Sequence, residues 1–150
     1  MDQSSEKKKS GFFSGRTRSF TILLLIAIFV FGTIQALSGR SGSVTAQMDS
    51  AMLGVLGSLE QPTFVSLDEI TQVRLADTVS FGECVAAEET QNTLSGLYKN
   101  DAFGVYTLYV YTKSGPYIVV SYGDGDTLVF NLKTEKQTRN FYEDLAEKCP

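Results

Sequence analysis

The sequence predicts an α+β, mainly β domain that ends in one helix and follows a single transmembrane segment. Three observations predict it: a long uncharged apolar run near the N terminus, β-branched and aromatic runs in the middle, and a helical periodicity at the end. The chain has 150 residues. Without the membrane segment and its flanks about 100 residues remain, enough for one small domain.

The predicted transmembrane helix runs from Phe20 to Leu37, within 21 uncharged residues between Arg18 and Arg40. At about 1.5 Å per residue this run is roughly 31 Å long, which matches a hydrocarbon core of about 30 Å. The run is apolar on every face, whereas a soluble amphipathic helix would carry a polar stripe. We therefore expect it to be an uncleaved anchor.

The alternative is a signal peptide whose removal would leave a secreted domain. The small residues of Val44-Thr45-Ala46 suit a signal peptidase. However, the apolar region of a signal peptide usually has about 7–15 residues, and this run is longer.

Charge is divided unevenly along the chain. Residues 1–40 carry six basic and two acidic groups, a net charge of +4, and residues 41–150 carry 7 basic and 15 acidic groups, a net charge of −8. Basic residues before a membrane helix predict a cytoplasmic tail over 1–19 and a C-terminal domain outside the cytoplasm. An acidic domain is also a poor partner for nucleic acid.

The composition excludes several kinds of site. The chain has no His and two Cys, which excludes the usual Ser-His-Asp and Cys-His catalysis, zinc sites with His ligands and a four-thiolate zinc site. Glu88 and Glu89 are interpreted as solvated carboxylates rather than a general acid/base pair. We therefore predict no enzyme activity, no catalytic residue, no metal and no cofactor.

A calcium loop from Asp124 to Glu135 is rejected. Leu128 and Val129 stand where that loop requires an oxygen ligand and a glycine, so Asp124 and Asp126 are assigned to a hairpin turn.

The two cysteines, Cys84 and Cys149, have two open alternatives. Outside the cytoplasm they can form a disulfide, which would contribute roughly 4 kcal/mol by closing a long loop. They can equally remain free thiols, and the sequence favours neither.

Strands are predicted along most of the domain, which we place at 48–148 after a flexible Gly/Ser-rich tether at 38–47. They are 51–57, 63–67, 70–75, 84–88, 103–112, 117–122 and 127–132. The last three are expected to form a meander of adjacent strands. In the final strand Leu128, Phe130 and Leu132 alternate with polar or smaller residues, which predicts one buried face.

A C-terminal amphipathic helix follows. Thr134 and Gln137 form a capping box, in which each side chain can bond the other's free backbone N–H. Thr138, Phe141 and Leu145 fall on one face, which predicts that the helix closes the sheet. Seven tyrosines lie between Tyr98 and Tyr142; most are expected to pack between strands, and outward ones could form a binding face.

Several of these segments resemble the bacterial pleckstrin-homology (PH-like) domains, above all the membrane-anchored group that includes a bacteriocin-immunity protein. The matching segments span roughly residues 48–147 and are packing patterns: 65–73, 96–98, 103–110, 117–120, 127–131 and 138–145. The resemblance implies a seven-stranded, strongly bent antiparallel sheet or barrel with a capping helix. Phosphoinositide-binding members use Lys and Arg in the first hairpin, and here Ser58–Pro62 has none, which argues against that ligand.

The leading hypothesis is a single-pass membrane protein that presents a PH-like binding or scaffolding module. Its partners would be the bilayer, through the helix, and a protein or peptide, as in an immunity-type role. The alternative is a structural component of an envelope complex with no separable ligand.

Overall fold

The described part of the chain is a mainly β domain that ends in one helix, as predicted. The computed structural model describes residues 41–58 and 61–149. The predicted tail, the predicted helix at 20–37 and the first residues of the predicted tether lie outside them. In the described residues no helix is long and apolar enough to cross a membrane. The elements are β1 (Thr45–Met48), β2 (Met52–Leu56), β3 (Thr63–Ser66), β4 (Ile70–Ala76), β5 (Glu83–Glu89), β6 (Thr93–Asn100), β7 (Gly104–Tyr111), β8 (Tyr117–Tyr122), β9 (Asp126–Phe130) and α1 (Glu135–Lys148).

The first three strands form an antiparallel sheet in the order β1-β2-β3. Leu53, Val55 and Val65 point from it into the core and are at most 1% exposed. The neighbouring residues point the other way, because successive side chains of a strand alternate between its faces.

The start of the domain differs from the prediction. Thr45–Met48 is a strand rather than the end of a flexible tether, and Val44 before it is buried. Ala46 and Met48 also pack against the core. The domain therefore begins before residue 48. The sequence did not predict this because a strand of four residues is too short for its alternation to be recognised.

The remaining six strands form a second sheet in the order β4-β8-β9-β7-β6-β5. The predicted β8–β9 hairpin is confirmed. The predicted meander is wrong, because β9 lies between β7 and β8 and runs parallel to β7. The described residues therefore hold nine strands and one parallel pair rather than seven strands that are all antiparallel.

Both faces of this second sheet are covered. On one face the first sheet and α1 enclose a cluster that includes Leu53, Ile118, Phe130 and Leu145. On the other face Leu108, Val119 and Val129 are buried in a second cluster, against which Phe81 of the β4–β5 loop packs. The expectation of a single buried face in the last strand is therefore wrong, since Leu128, Val129 and Phe130 are all fully buried.

The C-terminal helix packs as predicted. Thr138 and Leu145 are buried, and Phe141 meets Phe130 edge to face with ring centroids 5.7 Å apart. Half of the capping box is observed: Thr134 Oγ1 accepts a hydrogen bond from the Gln137 backbone N–H at 3.3 Å. The Gln137 side chain meets the Thr134 hydroxyl at 3.2 Å instead of turning back to the backbone.

Candidate functional site

A cleft opens between the described residues of the β2–β3 connection, with the start of β3, and the face of β5, β6 and β7. We call it the β5 cleft; its volume is about 790 Å³. One wall comes from the loop and the start of β3, and the other from the three strands. Its lining comprises Ser58, Gln61, Pro62 and Thr63 on the first wall and Ala86, Glu88, Gly96, Leu97, Thr107 and Tyr109 on the second.

Hydroxyl groups hold the two walls together. The Tyr109 hydroxyl lies 2.9 Å from Thr63 Oγ1. The Ser58 backbone N–H donates to Ser95 Oγ at 3.0 Å, and the Ser58 hydroxyl lies 3.0 Å from Thr93 Oγ1. Since Thr93 and Ser95 are fully buried, these bonds satisfy polar groups that would otherwise be costly to bury. The floor of the cleft is therefore fixed.

Two glycines permit close packing at this site. A Cβ on Gly57 would collide with Ser95 and Tyr109, so the loop can rest on β6 and β7 only without a side chain there. A Cβ on Gly96, whose φ is +146°, would collide with the backbone oxygen of Ala86. Gly96 thus allows β5 to lie against β6.

Among the residues that the structure describes, β5 is an edge strand: it pairs there with β6 alone, and the pairing shifts between Cys84 and Ala86. Val85 is at this bulge and is 52% exposed. An edge strand leaves unpaired backbone N–H and C=O groups, which can accept a further strand. The opposite edge, β4, packs against α1.

The site is acidic at its edge and apolar beside it. Glu83 and Glu88 of β5 are on the cleft side of the sheet, whereas Glu89, which pairs with Leu94, points to the other side. Leu97, in the cleft, is 41% exposed, and Val105 on the neighbouring strand is 55% exposed. An extended segment with basic and apolar side chains would match this surface.

On the face of the sheet opposite the cleft, Tyr98 orients Glu89. The Tyr98 hydroxyl donates to Glu89 Oε1 at 2.9 Å. Burial raises the pKa of Tyr98, and the hydrogen bond and charge of Glu89 raise it further. The bond therefore persists across the neutral range and orients the last residue of β5.

The cysteines do not meet. Both thiols are free; Cys84 is exposed on β5, and Cys149 is buried at the end of α1. Cys149 packs in the cluster under α1, whereas the partner of Cys84 across the sheet, Tyr98, lies in the other cluster. Of the two alternatives for Cys84 and Cys149, the structure has the free thiols.

Of the other residues singled out in the sequence, Glu88 and Tyr109 line the cleft and the rest lie away from it. Asp124 is in the β8–β9 turn, where Gly123 and Gly125 have positive φ, so the hairpin assignment is confirmed. None of the seven tyrosines is exposed, and only Tyr109 lines the cleft. The interpretation of most tyrosines as strand packing is confirmed, and no exposed tyrosine supplies the outward binding face that was the alternative.

Sequence reasoning missed the polar residues at the start of the domain. The Gly42 N–H donates to Asn92 Oδ1 at 2.9 Å, and Asn92 Nδ2 donates back to the Gly42 oxygen at 3.1 Å. The Val44 N–H donates to the Tyr111 hydroxyl at 3.1 Å. These partners are 50 or more residues apart, so no local pattern marks them, although Asn92 before a strand is typical of a turn. The chain is therefore fixed to the domain from Gly42 onward.

Comparisons with protein-family models, with curated proteins and with solved structures found no match for this chain.

Proposed function

We propose that this chain is a membrane-anchored binding module that recognises an extended protein or peptide segment at the β5 cleft. The observation that carries the proposal is the free edge of β5 beside a cleft with a fixed floor. Strand addition supplies affinity through backbone hydrogen bonds, and pockets beside the edge supply specificity through alternate side chains.

The chemistry of the cleft suits binding rather than catalysis. Its lining residues mostly carry hydroxyl groups or small and apolar side chains, and Glu88 supplies the one carboxylate among the described residues. Leu97 on β6 offers an apolar contact, and Glu83 and Glu88 on β5 attract basic side chains. The preferred partner would be an extended segment that carries both kinds of residue.

The anchor and the family likeness belong to the same proposal. The helix at 20–37 would hold the module at a membrane, with its basic end in the cytoplasm. A PH-like domain of the anchored bacterial group would then intercept its partner close to the bilayer, and an immunity-type role against a toxic peptide is one form of this. The C-terminal capping helix supports the likeness, and the parallel β7–β9 pair departs from it.

The proposal is tested by crosslinking the full chain in its native membrane and identifying the captured proteins. Leu97→Asp places a charge in the cleft and should remove a partner that the unchanged chain captures. Ala102→Asp is the control, because Ala102 is exposed in the turn between β6 and β7, outside the cleft; it should retain the partner. An anchor-only chain of residues 1–40 should capture none of it.

An unchanged set of partners after Leu97→Asp or after removal of the domain would refute the proposal. Capture of other copies of the chain alone would instead support the alternative of a structural component of an envelope complex.

A further inference from the structure

The outward side of the three-stranded sheet is partly apolar. We call it the outer face; it comprises Thr45, Gln47, Met52, Gly54, Leu56 and Phe64, which the strand register places on one side. Phe64 is 63% exposed, and Leu56 and Met52 are 38% and 37% exposed. The face lines a shallow groove of about 380 Å³. Exposed apolar residues that adjoin one another mark a surface that meets a partner.

Phe64 lies above a position without a side chain. It is directly opposite Gly54 in the register, and a Cβ on Gly54 would lie 3.0 Å from the ring. The ring therefore sits close to the sheet at the middle of the outer face, with most of its surface open to solvent.

The outer face begins close to the predicted anchor. The chain is bonded to the domain from Gly42, and the predicted helix ends at Leu37. Five residue steps of at most about 3.5 Å span roughly 17 Å. Thr45 follows three residues later, and strands about 4.8 Å apart place Phe64 roughly 10 Å from Gln47 on β1. The length of this link therefore allows the outer face to reach a bilayer that holds the predicted helix.

We propose that the outer face docks on the surface of the bilayer that holds the anchor, with Phe64, Leu56 and Met52 in the interfacial layer. This inference rests on the anchor of the proposed function but not on the peptide partner. Aromatic and aliphatic side chains favour the membrane interface. Residues 41–150 carry a net charge of −8, whereas the six residues of the outer face carry none. Asp49 also lines the groove, and its carboxylate accepts hydrogen bonds from the Ala51 and Met52 backbone N–H groups at 2.7 and 2.8 Å.

A lipid surface fits the outer face better than a second copy of the chain. A stable protein interface uses about 20–30 residues on each side, whereas the outer face has six. The anchor raises the local concentration of lipid at the face, so a weak contact of few side chains is sufficient.

The chain contains no Trp, so Phe64→Trp introduces a single fluorescent reporter at the centre of the outer face. The full-length variant is reconstituted in phosphatidylcholine vesicles with and without brominated acyl chains. Docking predicts that bromolipid lowers the emission of F64W by about twofold or more, since quenching requires contact with the acyl chains. Ala102→Trp is the control, because Ala102 is exposed in the turn between β6 and β7 of the other sheet; its emission should not change.

Each other outcome overturns the docking. If the chain floats with the vesicles and F64W is not quenched, the outer face does not touch lipid, although the anchor stands. If F64W is shielded from aqueous acrylamide but not quenched by bromolipid, a second copy covers the face. If the chain does not float with the vesicles, both the anchor and the docking fail. Circular dichroism that matches the unchanged chain shows that each variant is folded.

Discussion

At the scale of single residues, the two cysteines differ in exposure, and this difference makes the orientation of the chain measurable. Cys84 is exposed on β5, and Cys149 is 7% exposed. Burial also raises the pKa of the Cys149 thiol, which lowers the fraction of reactive thiolate. A thiol reagent should therefore report almost entirely on Cys84.

We predict that a membrane-impermeant maleimide labels Cys84 in intact, reductant-treated cells, because the basic residues before the predicted helix predict a domain outside the cytoplasm. Gel-shift or mass analysis measures the labelling. Cys84→Ser should remove most of it, and Cys149→Ser should remove little. Labelling that appears only after lysis would reverse the orientation.

Tyr106 makes folding sensitive to alkaline pH. Its hydroxyl donates to the Phe81 oxygen at 2.8 Å, and burial raises its pKa to about 12. An unfolded tyrosine has a pKa of about 10. The neutral form is thus favoured by folding, so its contribution is complete below about pH 10 and is lost as the pH rises toward 12.

The matching prediction concerns urea unfolding of the full chain in detergent. Between pH 9 and pH 11, on either side of a tyrosine pKa of about 10, the midpoint should fall, and Tyr106→Phe should make that fall smaller. Tyr142→Phe on α1 is the control variant. An identical pH dependence in Tyr106→Phe and the unchanged chain would show that another group is responsible.

At the scale of elements, the strands that the sequence predicted and those it missed differ in their side chains. β7 and β8 are rich in β-branched and aromatic residues, so their pattern was sufficient. β6 was missed because Gly96 interrupts it and it ends in Lys99 and Asn100. β1 was too short to be recognised. The order of the strands was beyond a local pattern, since the β7–β9 pairing joins Tyr109 to Phe130 across the whole of β8.

Gly96 holds β5 in place, and we predict that Gly96→Ala loosens that strand. The new Cβ would collide with the Ala86 oxygen at a backbone φ of +146°. The free energy of unfolding should fall by about 2–3 kcal/mol or more, from backbone strain and overpacking together. Hydrogen exchange should quicken in β5 first, because an edge strand has one neighbour to lose.

Gly104→Ala is the matched control for this change. Gly104 also has a positive φ, at +66°, but nothing lies within 4 Å of the added carbon. Gly104→Ala should therefore lower the free energy of unfolding only by the backbone strain, about 1–2 kcal/mol, and should not quicken hydrogen exchange in β5. Equal effects of the two substitutions would show that the contact with Ala86 is unimportant.

At the scale of the whole molecule, the candidate site depends on segments that are far apart in sequence. Ser58 bonds Thr93 and Ser95, 35 and 37 residues away, and Thr63 meets Tyr109 across 46. In the sequence, no local pattern distinguishes these hydroxyl-bearing residues from others of their kind. The sequence therefore predicted the strand that carries the free edge, β5, but the cleft beside it arises only when the first sheet packs on the second.

The link between the predicted anchor and the domain is equally a property of the whole chain. Gly42, within the predicted flexible tether, is hydrogen-bonded to Asn92 in the β5–β6 turn. Residues 38–41 are therefore all that separates the predicted helix from the part of the chain that is bonded to the domain. A short link keeps the outer face at a high effective concentration near lipid.

We therefore predict that lengthening this link weakens the docking of the outer face. An insertion of twelve Gly and Ser residues between Gly39 and Arg40 should lower the effective concentration on the order of fivefold to tenfold, because it falls as about the −3/2 power of link length. In the F64W chain, bromolipid quenching should decrease accordingly, while flotation with the vesicles is unchanged. The same insertion between Asp124 and Gly125, in the exposed β8–β9 turn, should leave the quenching as it was, since that turn is outside both the link and the outer face. Quenching that is insensitive to the first insertion would mean that the outer face binds lipid without help from the anchor.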